Sequence, residues 1–160
     1  MKIWTSLLLL GAFMALSQAA AEDGVVMSSG SCPSHWSKFK GRCFRYFPTA
    51  TSWARAERNC LSMKAHLASV HNFEEHKEIM RLINAAGRSS DVWIGGSDAE
   101  EEGFWLWSDG SYFQYTHWCS GEPNNYKKNQ HCLQTHFGGS KCWDDVHCTE
   151  LRPFVCAINL

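Results

Sequence analysis

The chain has 160 residues, 15 Lys and Arg against 16 Asp and Glu, a formal net charge of -1 and 44% hydrophobic residues. That length fits one domain with a single core. The scattered, nearly balanced charge leaves no electrostatic footprint for nucleic acid or for an anionic lipid surface, so neither is expected as a partner.

Lys2 is followed by an apolar run from Trp4 to Leu16, broken only by Thr5, Ser6 and Gly11, and then by the small residues Ala19, Ala20 and Ala21. This is the pattern of a secretory signal peptide over residues 1–21, with cleavage between Ala19 and Glu22. The run is shorter than the roughly 20 residues of a membrane-spanning helix, and no later segment approaches that length. A secreted, extracellular chain without a membrane span is expected. Residues 22–31 form a short lead, too brief for a coiled-coil neck, so a monomer or weak self-association is expected, and residues 32–160 form the domain.

Eight cysteines (Cys32, Cys43, Cys60, Cys119, Cys132, Cys142, Cys148 and Cys156) in a secreted chain are an even number in an oxidising compartment and read as four disulfides. A zinc site calls for close C-x-x-C pairs, whereas the tightest spacings here leave five and seven intervening residues. Counting alone leaves 105 pairings open. No N-x-[ST] sequon occurs, so N-glycosylation is not expected.

Thr51 or Ser52 can cap a first helix that carries Trp53, Ala56 and Cys60 on one face. Asn72 followed by Glu75 at the third helical position opens a second helix with Ile79, Met80, Leu82 and Ile83, which Gly87 ends. Short strands follow: Val92 to Ile94, Phe104 to Trp107, Leu133 to Phe137 and Phe154 to Ile158. Gly95-Gly96, Asp109-Gly110 and Gly138-Gly139 are predicted as the turns between them. Two helices followed by short antiparallel strands give an α+β class. Trp53, Trp93, Trp105 and Trp107 fall on element faces and read as core, with Trp143 as a floor beside the acidic pair that follows it.

Between roughly residues 108 and 131 lies a long polar segment bounded by cysteines. A loop of that length is usually functional or disordered, and the flanking cysteines argue for order. It carries Glu122, Asn124 and Gln130; the strand after it carries Asp144 and Asp145. These five side chains offer three carboxylates and two amide carbonyls, the hard-oxygen set that Ca²⁺ takes in six- to eightfold coordination. Mg²⁺ prefers fewer protein ligands, and Zn²⁺ prefers histidine or thiolate.

An acid beside an amide also satisfies a sugar hydroxyl that sits on the ion, one accepting its proton and the other donating to its second lone pair. Glu122 with Asn124 and Gln130 with Asp144 would make two such pairs. Tyr126 could supply an aromatic face to a sugar ring. His131, His136 and His147 lie near the loop without a metal-ligand spacing and read as solvated or capping residues. No nucleophile, base and oxyanion set is recognisable, so the chain is not expected to be an enzyme.

In this order and spacing, Cys60, Trp93-Ile94-Gly95-Gly96, Glu122-Pro123-Asn124, Trp143-Asp144-Asp145 and Cys156 resemble the C-type lectin domain family, over about residues 32–158. Cys32 and Cys43, the stretch HLASVHNFEEH, and the extra cysteines Cys119 and Cys142 are most similar to small secreted fish lectins and the related type II antifreeze proteins. The resemblance implies the pairs Cys32–Cys43, Cys60–Cys156 and Cys132–Cys148, leaving Cys119 with Cys142, and a cis Glu122–Pro123 bond that turns Glu122 and Asn124 toward one ion.

Two positions depart from the family pattern: Gln130 stands where a second glutamate is usual, and Asp144 where W-N-D has asparagine, so the ligand charge is unchanged in sum. Asp98 and Glu102 fit the accessory calcium site of some members, but Asn125 and His131 stand where acids belong, and that site is not expected. The resemblance implies a calcium-dependent carbohydrate-binding protein of extracellular recognition or innate defence. Its Glu-Pro-Asn form is mannose-type, while the exchanged order of Gln130 and Asp144 is galactose-type. The alternatives are an ice-binding protein of the type II antifreeze kind and a protein-binding module with a vestigial calcium site.

Overall fold

A computed structural model describes residues 30–87 and 90–160. The signal peptide expected over residues 1–21 and most of the 22–31 lead fall outside the described residues. The elements in order are β1 (Ser37–Phe39), β2 (Arg42–Thr51), α1 (Trp53–Ser62), β3 (His66–Leu67), α2 (Phe73–Ala85), β4 (Val92–Ser97), β5 (Leu106–Trp107), a 3-10 turn (Tyr126–Lys128), β6 (Cys132–Phe137), β7 (Cys142–Val146) and β8 (Arg152–Asn159). The fold is α+β. Among the described residues no helix is long and apolar enough to cross a membrane.

The sheet runs β1-β2-β8-β4-β6-β7, with β3 added to β8 and β5 to β4. All pairings are antiparallel except β4 with β8, which meet in parallel at Trp93 and Phe154. The short antiparallel strands expected are present, and this one parallel contact is added to them. Chain neighbours joined by short turns must run antiparallel, but β4 and β8 are separated by a long stretch of chain that leaves their direction free. Their contact is the seam between two antiparallel halves.

Ser52 does occupy the cap of α1, but its side chain makes no capping bond. One orphan donor of the first turn, the Trp53 N–H, goes instead to the carbonyl of Cys148 at 3.1 Å. Ala56 and Cys60 face a cluster with Leu67, Trp93, Val146 and Phe154, and the Cys60–Cys156 bond fastens α1 to β8. Helix α2 starts as its sequence dictates: Asn72 accepts from the Glu75 N–H at 2.9 Å. Glu75 in turn accepts from the His71 N–H and from Arg42 Nη1, each at 2.8 Å. Ile79 and Ile83 pack with Phe44, Val92, Ile94, Leu133 and Trp143 in the main core. Gly87, at φ 68°, ends the helix.

Gly95 and Gly96 do not form a turn; they lie inside β4. A Cβ on Gly95 would stand 2.6 Å from the Leu67 carbonyl oxygen, and one on Gly96 would stand 2.7 Å from Leu133 Cδ1. Close approach of neighbouring strands, not chain reversal, requires glycine here. Of the predicted 104–107 strand only Leu106–Trp107 pairs. Trp93, Trp107 and Trp143 are buried, while Trp53 and Trp105 are partly buried against the two clusters. Tyr115, Trp118 and Trp107 all meet Trp143 edge-on, at interplanar angles of 85°, 85° and 88°. All four disulfides join the pairs that the resemblance implied.

Candidate functional site

Residues 108–131 have a single 3-10 turn of their own, and they are laid alongside the edge strand β7 by a parallel bridge between Trp118 and Trp143. The Trp143 N–H donates to His117 O and the Cys119 N–H to Trp143 O, both at 2.8 Å. The Cys119–Cys142 disulfide fastens the same place covalently. The loop that carries Glu122 is thereby laid against the strand that carries Asp144 and Asp145, and the Glu122–Pro123 peptide is cis.

All five residues of β7 are buried, so two carboxylates stand in an otherwise core strand. Burying a charge is tolerable only if donors or a counter-ion meet it. Asp145 has donors for both oxygens, the Asn124 N–H at 2.9 Å and the Asn125 N–H at 2.7 Å. Asp144 Oδ2 accepts from Gln134 Nε2 at 3.1 Å. Glu122 Oε1 accepts from Asn124 Nδ2 at 2.9 Å, so the first acid and amide stand side by side. Glu122 Oε2 is different: it is buried and has no hydrogen-bond partner.

Glu122, Asp144 and Asp145 bring ligand oxygens within 4.8 Å of one another. Burial, then the Asp144 and Asp145 charges, push the Glu122 carboxyl up to about 7. Asp144 is also raised, by burial first, against the hydrogen bond from Gln134. Three crowded carboxylates with one orphaned oxygen suit a hard divalent cation better than protons or ammonium groups. These residues fit Ca²⁺.

Gln130 sits differently from its predicted place. Its side-chain carbonyl accepts from the Tyr126 N–H at 2.8 Å, and its own N–H donates to Asn125 Oδ1 at 2.9 Å. The amide that stands against Asp144 is Gln134, which the sequence reading passed over. Tyr126 is exposed at the loop tip, with Lys127 Nζ 5.4 Å from its ring centroid.

At the position of the accessory calcium site of some family members, His131 Nδ1 lies 3.0 Å from Asp98 Oδ1 and 3.3 Å from Glu102 Oε2. An imidazole thus stands against both acids. His136 is buried, with Nε2 3.3 Å from Asn84 Oδ1, rather than solvated. His147 bonds Asn129 at 2.7 Å and Thr149 at 2.7 Å.

The sequence profile of the lectin C-type domain matches residues 49–158. The galactose-specific lectin nattectin of Thalassophryne nattereri is 38% identical, over 92% of this chain and 93% of its own. A type-2 ice-structuring protein of Osmerus mordax is 37% identical, over 94% of this chain and 89% of its own. The solved structure of herring type II antifreeze protein superposes with a TM-score of 0.76 at 36% identity, covering 81% of this chain and 99% of that one.

Proposed function

The chain belongs to the C-type lectin domain family, and on that premise we propose that it is a secreted, calcium-dependent carbohydrate-binding protein of extracellular recognition or innate defence. The observation that carries this reading is the Glu122–Asn124 pair, bonded at 2.9 Å beside Asp144 and Asp145, with Glu122 Oε2 buried and unpartnered. Glu122, Asn124, Asp144 and Asp145 would hold Ca²⁺, which would supply a Lewis-acidic point for one lone pair of a sugar hydroxyl. Glu122 would accept a hydrogen bond from that hydroxyl, while the Asn124 amide would donate to its remaining lone pair. Gln130, predicted as a fifth ligand, shares the Tyr126 N–H with Asn124, the two side-chain carbonyls accepting it at 2.8 and 2.9 Å.

The unaltered Glu-Pro-Asn stretch favours mannose-type hydroxyls. Galactose-type glycans are the competing ligand, because a relative of this chain is a galactose-specific lectin. Tyr126, 64% exposed, is placed to stack on either ring.

A second reading, ice binding, rests on the likeness to the ice-structuring and antifreeze proteins. Against it, Thr135 is buried, and the exposed loop tip carries Tyr126, Lys127 and Lys128 rather than a flat, weakly polar face. The deciding experiment loads the mature protein in Ca²⁺ on immobilised mannan and on a galactose polymer, elutes with EGTA, and measures thermal hysteresis in parallel. Retention on mannan with release by EGTA is the expected result. Thermal hysteresis without sugar retention would overturn the reading in favour of ice binding, and retention on neither without hysteresis would favour a protein-binding module.

A further inference from the structure

Asp144 stands 7% exposed, and its strand neighbour across the β6–β7 ladder is Gln134, 1% exposed. Side-chain amides are commonly ambiguous, because oxygen and nitrogen can exchange places. Here the neighbours decide. Gln134 Oε1 lies 3.1 Å from Arg152 Nε, which can only donate, and its Nε2 lies 3.1 Å from Asp144 Oδ2, which as a carboxylate can only accept.

Arg152 is itself anchored, with Nη1 3.0 Å from the Leu151 carbonyl and 3.4 Å from Glu150 Oε2. The hydrogen-bonded line runs from β8 to β6 to β7, passing over β4, and ends on a carboxylate of the candidate calcium site.

We propose that Gln134 is a positioning residue for Asp144, and that Arg152 acts through it by fixing the direction of its amide. The Gln134 N–H holds Asp144 Oδ2, which stops the carboxylate from rotating and leaves Oδ1 for the ion. A reversed amide would turn its carbonyl oxygen on the carboxylate and push it out of place. The inference rests on the calcium reading above and adds two residues that are not themselves ligands. Groups that orient a ligand typically change metal affinity 10- to 100-fold when removed.

The test is the Ca²⁺ dissociation constant, by calorimetric titration, of the wild-type mature protein, Gln134→Met, Arg152→Met, Arg152→Lys and the Gln134→Met/Arg152→Met double variant. Melting in EGTA reports whether each is folded. Gln134→Met is expected to weaken Ca²⁺ about tenfold. Arg152→Met is expected to weaken it several-fold, although removing a positive charge near a cation site should by electrostatics alone tighten binding.

Arg152→Lys, still a donor without an acceptor, is expected to restore most of the affinity. The double variant should bind no worse than Gln134→Met, because both substitutions act through one amide. Arg152→Met binding as tightly as wild type or tighter, or losses that add in the double variant, overturn the proposal. If Gln134→Met fails to fold, the opposed signs predicted for Arg152→Met still decide it. A wild-type protein that binds no Ca²⁺ overturns the calcium reading and this proposal together; wild-type binding with Arg152→Met unchanged overturns this proposal alone.

Discussion

Both oxygens of Asp145 are occupied by backbone donors of the loop, the Asn124 and Asn125 N–H groups, so replacing this residue does two things at once. It removes one of the three carboxylates of the candidate calcium site, and it orphans two donors that hold the loop against β7. Asp145→Ala is therefore expected to abolish the rise in melting temperature that Ca²⁺ gives wild type, and also to lower stability in EGTA by about 1–3 kcal/mol. Asp145→Asn, which keeps one acceptor, should lose the Ca²⁺ increment but less of the EGTA stability. Paired melts of the two variants check this, and an intact Ca²⁺ increment in Asp145→Ala would count against the site. A different pressure acts on His76, which is 4% exposed with its ring centroid 4.2 Å from that of His117, between Phe73 and the loop. Burial first, then His117, lowers its pKa from 6.5 to about 4. The unfolded chain takes up this proton below about pH 6.5, whereas the folded chain resists until about pH 4. Stability should thus be full above pH 6.5 and decline as pH falls to 4, by no more than about 3 kcal/mol from this residue. His76→Phe should flatten that slope in urea titrations run in EGTA; a slope equal to wild type would show that the cost lies elsewhere.

Among the elements, β4 shows why a local signal can mislead. Gly95-Gly96 reads as a turn because paired glycines usually punctuate a chain, and nothing nearby in sequence reveals that Leu67 and Leu133 press on them. The two should differ in tolerance. Ala at 95 would drive its Cβ into the backbone of β3, whereas at 96 it meets only side-chain atoms of Leu133, Cδ1 at 2.7 Å and Cβ at 3.0 Å, of which the first can turn aside. Gly95→Ala is expected to cost about 2–3 kcal/mol and Gly96→Ala about 1, read from denaturant midpoints; equal costs would refute the close-approach account. Helix α2 was legible from both ends because its signals are local: Asn72 binds the Glu75 N–H, and Gly87 takes the left-handed φ. Strand β2 was not, since it contains Pro48 and its register with β8 shifts between Phe47 and Thr51. Gln134 escaped notice for a related reason. Counting back from Phe137 opposite Cys142 places Gln134 opposite Asp145, but a bulge between Gln134 and Phe137 moves it opposite Asp144. The oxygen donors of the site could be read as residue types, whereas the partner that orients one of them depends on a one-residue irregularity that only the folded ladder reveals.

At the scale of the whole molecule, the disulfides divide by position. Eight cysteines leave the pairing open to counting, and it was the family resemblance that singled out the pairs now seen. Cys32–Cys43 closes 11 residues at the β1–β2 end of the sheet, while Cys119–Cys142 closes 23 residues at the opposite end, where β7 is the edge strand. By loop entropy the two are nearly equal, about 3 kcal/mol each. Their relation to the site is not equal, because only Cys119–Cys142 joins the Glu122 segment to the strand of Asp144 and Asp145. Replacing Cys32 and Cys43 together by serine should lower stability by roughly that amount and leave the Ca²⁺ dissociation constant within about twofold of wild type, as expected for a distant, independent site. Replacing Cys119 and Cys142 together should cost similar stability and also weaken Ca²⁺ at least tenfold, because the loop ligands must then be ordered when the ion binds. Calorimetric titration of both double variants, each shown to be folded by its melt in EGTA, makes the comparison. Equal Ca²⁺ affinity in the two would mean that the Trp118–Trp143 backbone bridge alone suffices to hold the loop in place.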